Sequence, residues 1–386
     1  MIDIYYSEDY ARYDFGPDHP LRPERTMLAF KLMEELGCTD GDDVRWVKPS
    51  ICSEADLLAA HTKNYIEAVR AEKANLSFGL GDMDTPIFQG IYDAARLIAG
   101  GSIQAAEAMI SGDNTKAFNL GGGLHHAFPS KAGGFCVFND PSLAIHTLKK
   151  RFQRVLYIDI DAHHADGVQD IFYRDPSILK ISMHESGKYL FPGTGFIEEV
   201  GSGPGRGYTV NLPLPRYSSD EDYLRAFGEI VPALFSWFKP EAVVAQIGVD
   251  THYSDPLTSL RLSLQGYSAL VKSIIDLTNR YAEGRLLALG GGGYSIRAVT
   301  IAWASAFQMM RGMSLCYLPQ NWVEMFQLET RTDPISLEDL APVVRPEVGQ
   351  WISSQLNEVL SGLKSILHDI HGDRGLIFTP RAEIQI

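Results

Sequence analysis

The chain has 386 residues, of which 45% are hydrophobic and 21% charged, a balance that suits a globular protein with a large core and excludes a disordered or low-complexity chain. A formal net charge of -14 argues against an extended nucleic-acid-binding surface. No apolar run is long enough to span a bilayer, and the first residues, MIDIYYSEDYARYDFG, lack the basic start and apolar core of a secretory signal, so we expect a cytoplasmic protein that binds neither nucleic acid nor membrane.

Helix and strand signals alternate along the chain. Pro23 opens a helical stretch with Leu28, Leu32 and Leu36 on one face, and Gly37 supplies a stop. Ser53 to Asp56 reads as a capping box that starts a helix running to about Val69. A further helix runs through Ile91, Ala94, Ala95 and Ile98. Short apolar runs follow at Ala117 to Leu120, Val155 to Ile160, Ile178 to Met183, Ala242 to Ile247 and Leu286 to Leu289, each ending in glycine or a polar cluster. Near-continuous apolar strands separated by helices predict a parallel sheet covered on both faces. The segment from Leu318 to Glu347 reads as loop-rich, and Ile352, Leu356, Val359, Leu363 and Leu367 mark a C-terminal amphipathic helix. With no Pro/Ser-rich linker in the alternation, residues 1–386 are expected to form one α/β domain.

Ligands of open α/β sheets gather at the carboxyl ends of the strands, and the unusual chemistry of this chain lies there. Asp159, Asp161 and His163 are spaced by two, so an extended backbone points all three to one face. Neighbouring buried carboxylates repel unless a cation stands between them, and a bound metal is the simplest explanation. Asp161 and His163 offer oxygen and nitrogen donors, and Asp250 completes three protein ligands with a position left open, the pattern of a catalytic zinc site. The cysteines Cys38, Cys52, Cys136 and Cys316 form no CxxC pair, so thiolates are not the ligands. A lone Asp-x-Asp is more often a solvated strand end, but a histidine in register and the His125-His126 pair after a glycine run favour the metal. His146, His184 and His252 read as structural.

Taken together, GGGLHHAFPSKAGGFCVFND, YIDIDAHHADGVQDIFY, FPGTG, IGVD and GGGGY resemble the histone deacetylase family, and within it the class I-like bacterial and archaeal acetoin-utilisation proteins. The resemblance runs from about His19 to Phe307 and implies the arginase/deacetylase fold: a parallel sheet with helices on both faces, here with a C-terminal helical extension. It implies a zinc-dependent hydrolase acting on acetyl-lysine in a protein or peptide, with iron(II) as an alternative occupant of the metal site. By position, Asp161, His163 and Asp250 match the metal ligands, while His125 and His126 match a catalytic pair backed by Asp159 and Asp166. His126 corresponds to the general base and Tyr294 to the oxyanion donor. Gly134, Phe135 and Phe191 match the acyl-lysine tunnel, Asp84 the rim aspartate (with Asp82 as competitor), and Arg25 an arginine of the internal cavity. Asp159 and Ser182, with backbone carbonyls of Asp161, His163 and Met183, resemble a potassium or sodium site. A second such site would use Phe172, Asp175, Ile178 and Tyr208, largely through the backbone. The chain departs from the family pattern at Ala165, where glycine is usual, and at Gly133, where serine is common.

Rival readings are weaker. Binuclear manganese ureohydrolases share the fold, but Ala165 and His252 stand where the second metal needs carboxylates. Acetylpolyamine amidohydrolases tend to carry Arg-Pro-Pro-Gly before the histidine pair, where this chain has Gly-Gly-Gly-Leu. A non-catalytic acyl-lysine binding module would be expected to have lost Tyr294, a metal ligand or the histidines, and all are present.

Overall fold

A computed structural model describes residues 1–39, 41–334 and 336–378. Its strands are β1 (Ile2–Tyr5), β2 (Val44–Val47), β3 (Lys116–Asn119), β4 (Val155–Asp159), β5 (Ile178–Glu185), β6 (Thr209–Leu214), β7 (Ala242–Gln246) and β8 (Leu286–Leu289). They form one eight-stranded sheet in the order β2-β1-β3-β8-β7-β4-β5-β6, every neighbouring pair being parallel. The expected cover on both faces is present. Along β4, Leu156 and Ile158 enter the larger hydrophobic core while Val155 and Tyr157 enter the other; β7 and β8 divide in the same way.

The strands β3, β4, β5, β7 and β8 coincide with the apolar runs in the sequence. The other three carry weaker signals, for physical reasons. In β1 the apolar pattern is interrupted by Asp3, which is fully buried because Arg45 Nη2 at 2.7 Å and Asn114 satisfy it. β2 is an edge strand with Trp46 half exposed. β6 holds Pro213, which cannot donate to a ladder and is tolerated because β6 forms the opposite edge.

α1 (Glu24–Glu35) begins after Pro23 as expected, and Gly37 at φ +64° ends it. The capping box at Ser53 and Asp56 is present, but the helix it opens is short: α2 (Glu54–Leu57) stops, and α3 (Lys63–Arg70) restarts. Tertiary bonds account for the break. Thr62 N donates to Pro129 O at 2.8 Å, and the His61 ring meets Phe128 O and accepts from Asn139 N, tying this turn to the segment after the histidine pair. α4 (Ile91–Ser111), α5 (Asp140–Leu148), α6 (Asp166–Ile171), α7 (Asp220–Phe238), α8 (Leu264–Tyr281) and α9 (Ile296–Met310) supply the cover of the sheet. The segment expected to be loop-rich contains α10 (Gln320–Thr330), held by buried Trp322 and Phe326, with the Trp322 indole donating to Leu28 O.

The C-terminal helix α11 (Pro346–His371) packs on α7 and β6 through Ile352, Leu356, Leu360, Leu363 and Leu367, with Leu360 taking the buried place expected of Val359. Leu363 is fully buried, so Leu363→Ala should lower unfolding stability by about 2–5 kcal/mol, read from denaturant midpoints at an unchanged m value. A loss below about 1 kcal/mol would mean that α11 is not part of the cooperative core. Among the described residues no helix is long and apolar enough to cross a membrane.

Candidate active site

The strands β3, β8, β7 and β4 are adjacent at the centre of the sheet, and the segments leaving their carboxyl ends converge. Asp161 and His163 follow β4, and Asp250 follows β7. Each of the three presents a donor atom within 4.8 Å of the other two, and all are buried. His163 Nδ1 lies 2.8 Å from Asp250 Oδ2 and 3.2 Å from Asp161 Oδ1. Burial, and then the charge of Asp161, push the Asp250 carboxyl well above its usual range. Burial acts on Asp161 in the same sense, but the charge of His125 and the hydrogen bond from His163 outweigh it and hold Asp161 well below. Two buried carboxylates and one imidazole nitrogen, with the pair unable to carry both charges unaided, fit a divalent cation. The backbone must also come close: a Cβ on Gly292 would lie 2.4 Å from Asp250 Oδ2, and Gly292 N donates to Asp161 Oδ2 at 2.8 Å.

The His125-His126 pair stands beside this group, with His125 Nε2 at 3.9 Å from Asp161 Oδ1. His125 Nδ1 meets Asp159 Oδ2 at 2.7 Å and His126 Nδ1 meets Asp166 Oδ1 at 2.6 Å, so each ring has its own carboxylate. The two Nε2 atoms face each other at 3.0 Å and can share one proton. Burial disfavours the charged form of His125, but Asp159 and Asp161 outweigh it and raise the ring to about 9. Burial, and then the charge of His125, lower His126 to about 4 despite Asp166. Within the pair these shifts favour the proton on His125, whose Nε2–H is placed to donate to His126 Nε2.

Tyr294 lines the same pocket, also bounded by Arg25, His125, His126, Phe135 and Asp161. Its hydroxyl bonds to no described residue, while Asp255 Oδ2 anchors its backbone N–H at 2.7 Å. Burial, and then the charges of Asp250 and Asp161, raise that hydroxyl well above the usual phenol range, which keeps it a donor. Arg25 is buried between this pocket and a neighbouring one; it donates to Gly293 O at 3.0 Å and lies 5.2 Å from the Trp303 ring centroid.

Gly134, Phe135 and Phe191, the residues expected to line a tunnel, lie beside His126 and Tyr294. Gly134 and Phe135 both have positive φ between the paired Gly133 and Cys136, as a type I′ two-residue turn requires. Only glycine fits at 134, because a Cβ there would lie 2.1 Å from the His126 ring. The Phe135 ring centroid is 5.6 Å from that of Tyr294, and the half-exposed Phe191 ring is 5.0 Å from that of His126. Asp84 reaches this wall, accepting from Gly134 N at 2.6 Å through Oδ2 and leaving Oδ1 without a described partner. Its competitor Asp82 is exposed and closes a turn, accepting from the backbone of Asp84 and Thr85.

The implied cation sites lie behind the pocket. Beside Asp159 and Ser182, no described residue donates to the carbonyls of Asp161 or His163. Phe172 O of the second set is already engaged: it accepts from Lys180 Nζ at 2.6 Å and from Asp175 N at 3.1 Å. Burial lowers the Lys180 ammonium to about 7, opposed by Asp175.

Several supporting groups escape sequence reading. The Asp140 carboxylate accepts from Gly123 N and Leu124 N and shapes the turn before His125, while Asn139 Nδ2 holds His125 O and Ala127 O. Gln246 Nε2 donates to Asp161 Oδ2 at 2.6 Å. Asn139, Asp140 and Gln246 lie within or beside the recognisable motifs; Asp255 has no such signal. The histidines read as structural find backbone or side-chain partners: His184 meets Ser182 Oγ and Gly195 O, His252 Nε2 meets Asp339 Oδ2 at 2.9 Å, and the His146 ring lies 4.9 Å from that of Phe172.

Comparison with known proteins identifies relatives of this chain. Residues 19–310 match the sequence model described as the histone deacetylase domain. The chain is 38% identical to the acetoin utilization protein AcuC of Bacillus subtilis, over 93% of this chain and 97% of that protein. It is 34% identical to the histone deacetylase clr6 of Schizosaccharomyces pombe, over 95% and 90% respectively. Among solved structures, an HDAC homolog from Aquifex aeolicus superimposes with a TM-score of 0.79 at 31% identity, covering 92% of this chain and 99% of that one.

Proposed function

The chain belongs to the histone deacetylase family, and from that premise we propose that it is a zinc-dependent amidohydrolase that removes acetyl groups from acetyl-lysine in proteins or peptides, releasing acetate and free lysine. The observation that carries this reading is the Asp161–His163–Asp250 group beside a carboxylate-backed histidine pair and a Tyr294 hydroxyl with no partner among the described residues. Held by those three residues, zinc or iron(II) would supply a polarised acetyl oxygen and a water of lowered pKa.

The chain's own groups do the rest. His126 Nε2, on the ring of the pair held neutral, takes the proton of the attacking water and returns it to the departing amine, with Asp166 fixing the ring. His125, charged against Asp159, lends positive potential beside the developing negative charge. The Tyr294 hydroxyl donates to the oxyanion. Gly134, Phe135 and Phe191 line the channel for the lysine stem, Asp84 Oδ1 receives a peptide N–H at the rim, and Arg25 lines the space beneath. A potassium or sodium ion at Asp159 and Ser182 would support the strand end. All 386 residues act as one deacetylase domain.

A binuclear manganese site is disfavoured because His252 Nε2 is committed to Asp339 and Ala165 offers no donor. Acetylpolyamine hydrolysis is the nearer rival, since its chemistry is the same; Gly121-Gly122-Gly123-Leu124 before the pair favours the peptide. We expect higher kcat/KM on acetyl-lysine peptides than on acetylspermidine or acetylputrescine under matched conditions. Asp84→Ala should lower peptide kcat/KM by roughly 10–100-fold, the worth of a hydrogen bond to a charged group, with metal content unchanged. Acetylpolyamines proving much the better substrates would overturn the peptide assignment and leave the hydrolytic one standing.

A further inference from the structure

The two monovalent-cation sites implied by the family resemblance differ in what already stands at their oxygens. At the first, the Asp161 and His163 carbonyls accept from no described residue, and the Asp159 carboxylate adds negative charge beside them. Buried carbonyls without donors are costly, and a cation satisfies them. At the second, the Phe172 carbonyl that closes α6 has both lone pairs engaged, one by Asp175 N and one by the side-chain nitrogen of Lys180. Tyr208 O accepts from Lys180 N at 2.9 Å, and the Asp175 carboxylate is paired with Lys149 Nζ.

Lys180 is itself unusual. It points inward from β5 and is 3% exposed, whereas lysines are almost never fully buried unless paired. Among the described residues no carboxylate lies within ion-pair distance of it; a backbone carbonyl takes that role instead, as carbonyls do around a bound monovalent ion. Charged or neutral, the nitrogen donates an N–H to this oxygen and fills space that an ion on the same oxygen would need. The residues of the second set therefore do not fit a dissolved cation.

We propose that Lys180 Nζ, tethered on β5 and bonded to Phe172 O, takes the place of the second monovalent cation, so that the chain binds one such ion, at Asp159 and Ser182, and not two. The amino group ties the end of α6 to the middle of β5, and its local concentration does not depend on the salt in solution.

Crystals of the wild-type protein soaked in rubidium chloride test this through the anomalous signal of rubidium. The expected map has one strong peak beside Asp159 and Ser182 and none in contact with Phe172 O. Rubidium on Phe172 O, or at neither place, overturns the proposal. In solution, thermal unfolding of wild type and Lys180→Met is followed in potassium chloride against choline chloride at equal ionic strength. Lys180→Met should be less stable than wild type in choline and should gain more from potassium, because binding to an opened site stabilises by mass action. Equal potassium dependence in the two proteins overturns the proposal. Should Lys180→Met fail to fold, the wild-type rubidium map decides alone.

Discussion

Asp250→Ala should reduce the divalent metal content from about one ion per chain to near zero at trace zinc, and hydrolysis of an acetyl-lysine peptide should fall to background. Asp250 is fully buried, and its loss leaves Asp161 and His163 as the only two members of the group. Catalytic zinc needs three protein ligands, and losing even an outer partner of a ligand typically costs about 10–100-fold in affinity or activity, so losing a ligand should cost more. Elemental analysis after gel filtration reads the metal, and thermal unfolding supplies an independent measure. A chelator should lower the melting temperature of the wild type, which loses a bound ion, and leave Asp250→Ala unchanged. A variant that retains a full equivalent of zinc and its turnover would remove Asp250 from the metal site.

For Tyr294→Phe we expect a loss of about 100–1,000-fold in kcat, the usual effect of deleting one oxyanion donor. The ring makes the packing contact with Phe135 and remains in the variant, and the anchoring bond to Asp255 comes from the backbone, so the loop should keep its shape. The hydroxyl has no described partner in the free protein, so its removal leaves no buried group unsatisfied. Metal content and melting temperature should therefore match the wild type while kcat falls. A kcat within a few-fold of wild type would show that the oxyanion is held by other groups; lost metal would show that the change acted on the site's architecture.

The central site is readable in the sequence because its residues crowd the ends of adjacent strands. Asp159, Asp161 and His163 share one stretch of backbone, although β4 ends at Asp159 and a bend, not the extended strand expected from the spacing of two, carries Asp161 and His163 to Asp250 while Asp159 turns to His125. Asp250 and Tyr294 end apolar runs that can themselves be recognised. Groups that act across long sequence separations leave no such trace. Asp255 reaches the backbone of Tyr294 from 39 residues away, and Asp3 depends on Arg45 and Asn114 to be buried in β1 at all. Lys180 is concealed for a related reason: β5 reads as an apolar run, and the lysine inside it is tolerable only because α6 ends on a carbonyl aimed at its tip. Asp82 and Asp84 offer the same chemistry in the sequence and differ only in the folded turn, where Asp82 Oδ1 accepts from the local backbone and Asp84 Oδ2 reaches Gly134 N.

The partnership of His252 with Asp339 bears on where this protein can be cut. The family match ends at residue 310, yet Asp339 lies beyond it and reaches back to the His252 ring and the Tyr253 hydroxyl, close after Asp250. The buried leucines of α11 are later still and cover α7 and the β6 edge. A version truncated at residue 310 would keep every group assigned to the chemistry, yet it would leave His252 Nε2 without its carboxylate and open to water the surfaces of α7 and β6 that α11 covers. We therefore expect the smallest autonomous folding unit to extend beyond the family match, and libraries or fusions built on this chain should respect the later boundary.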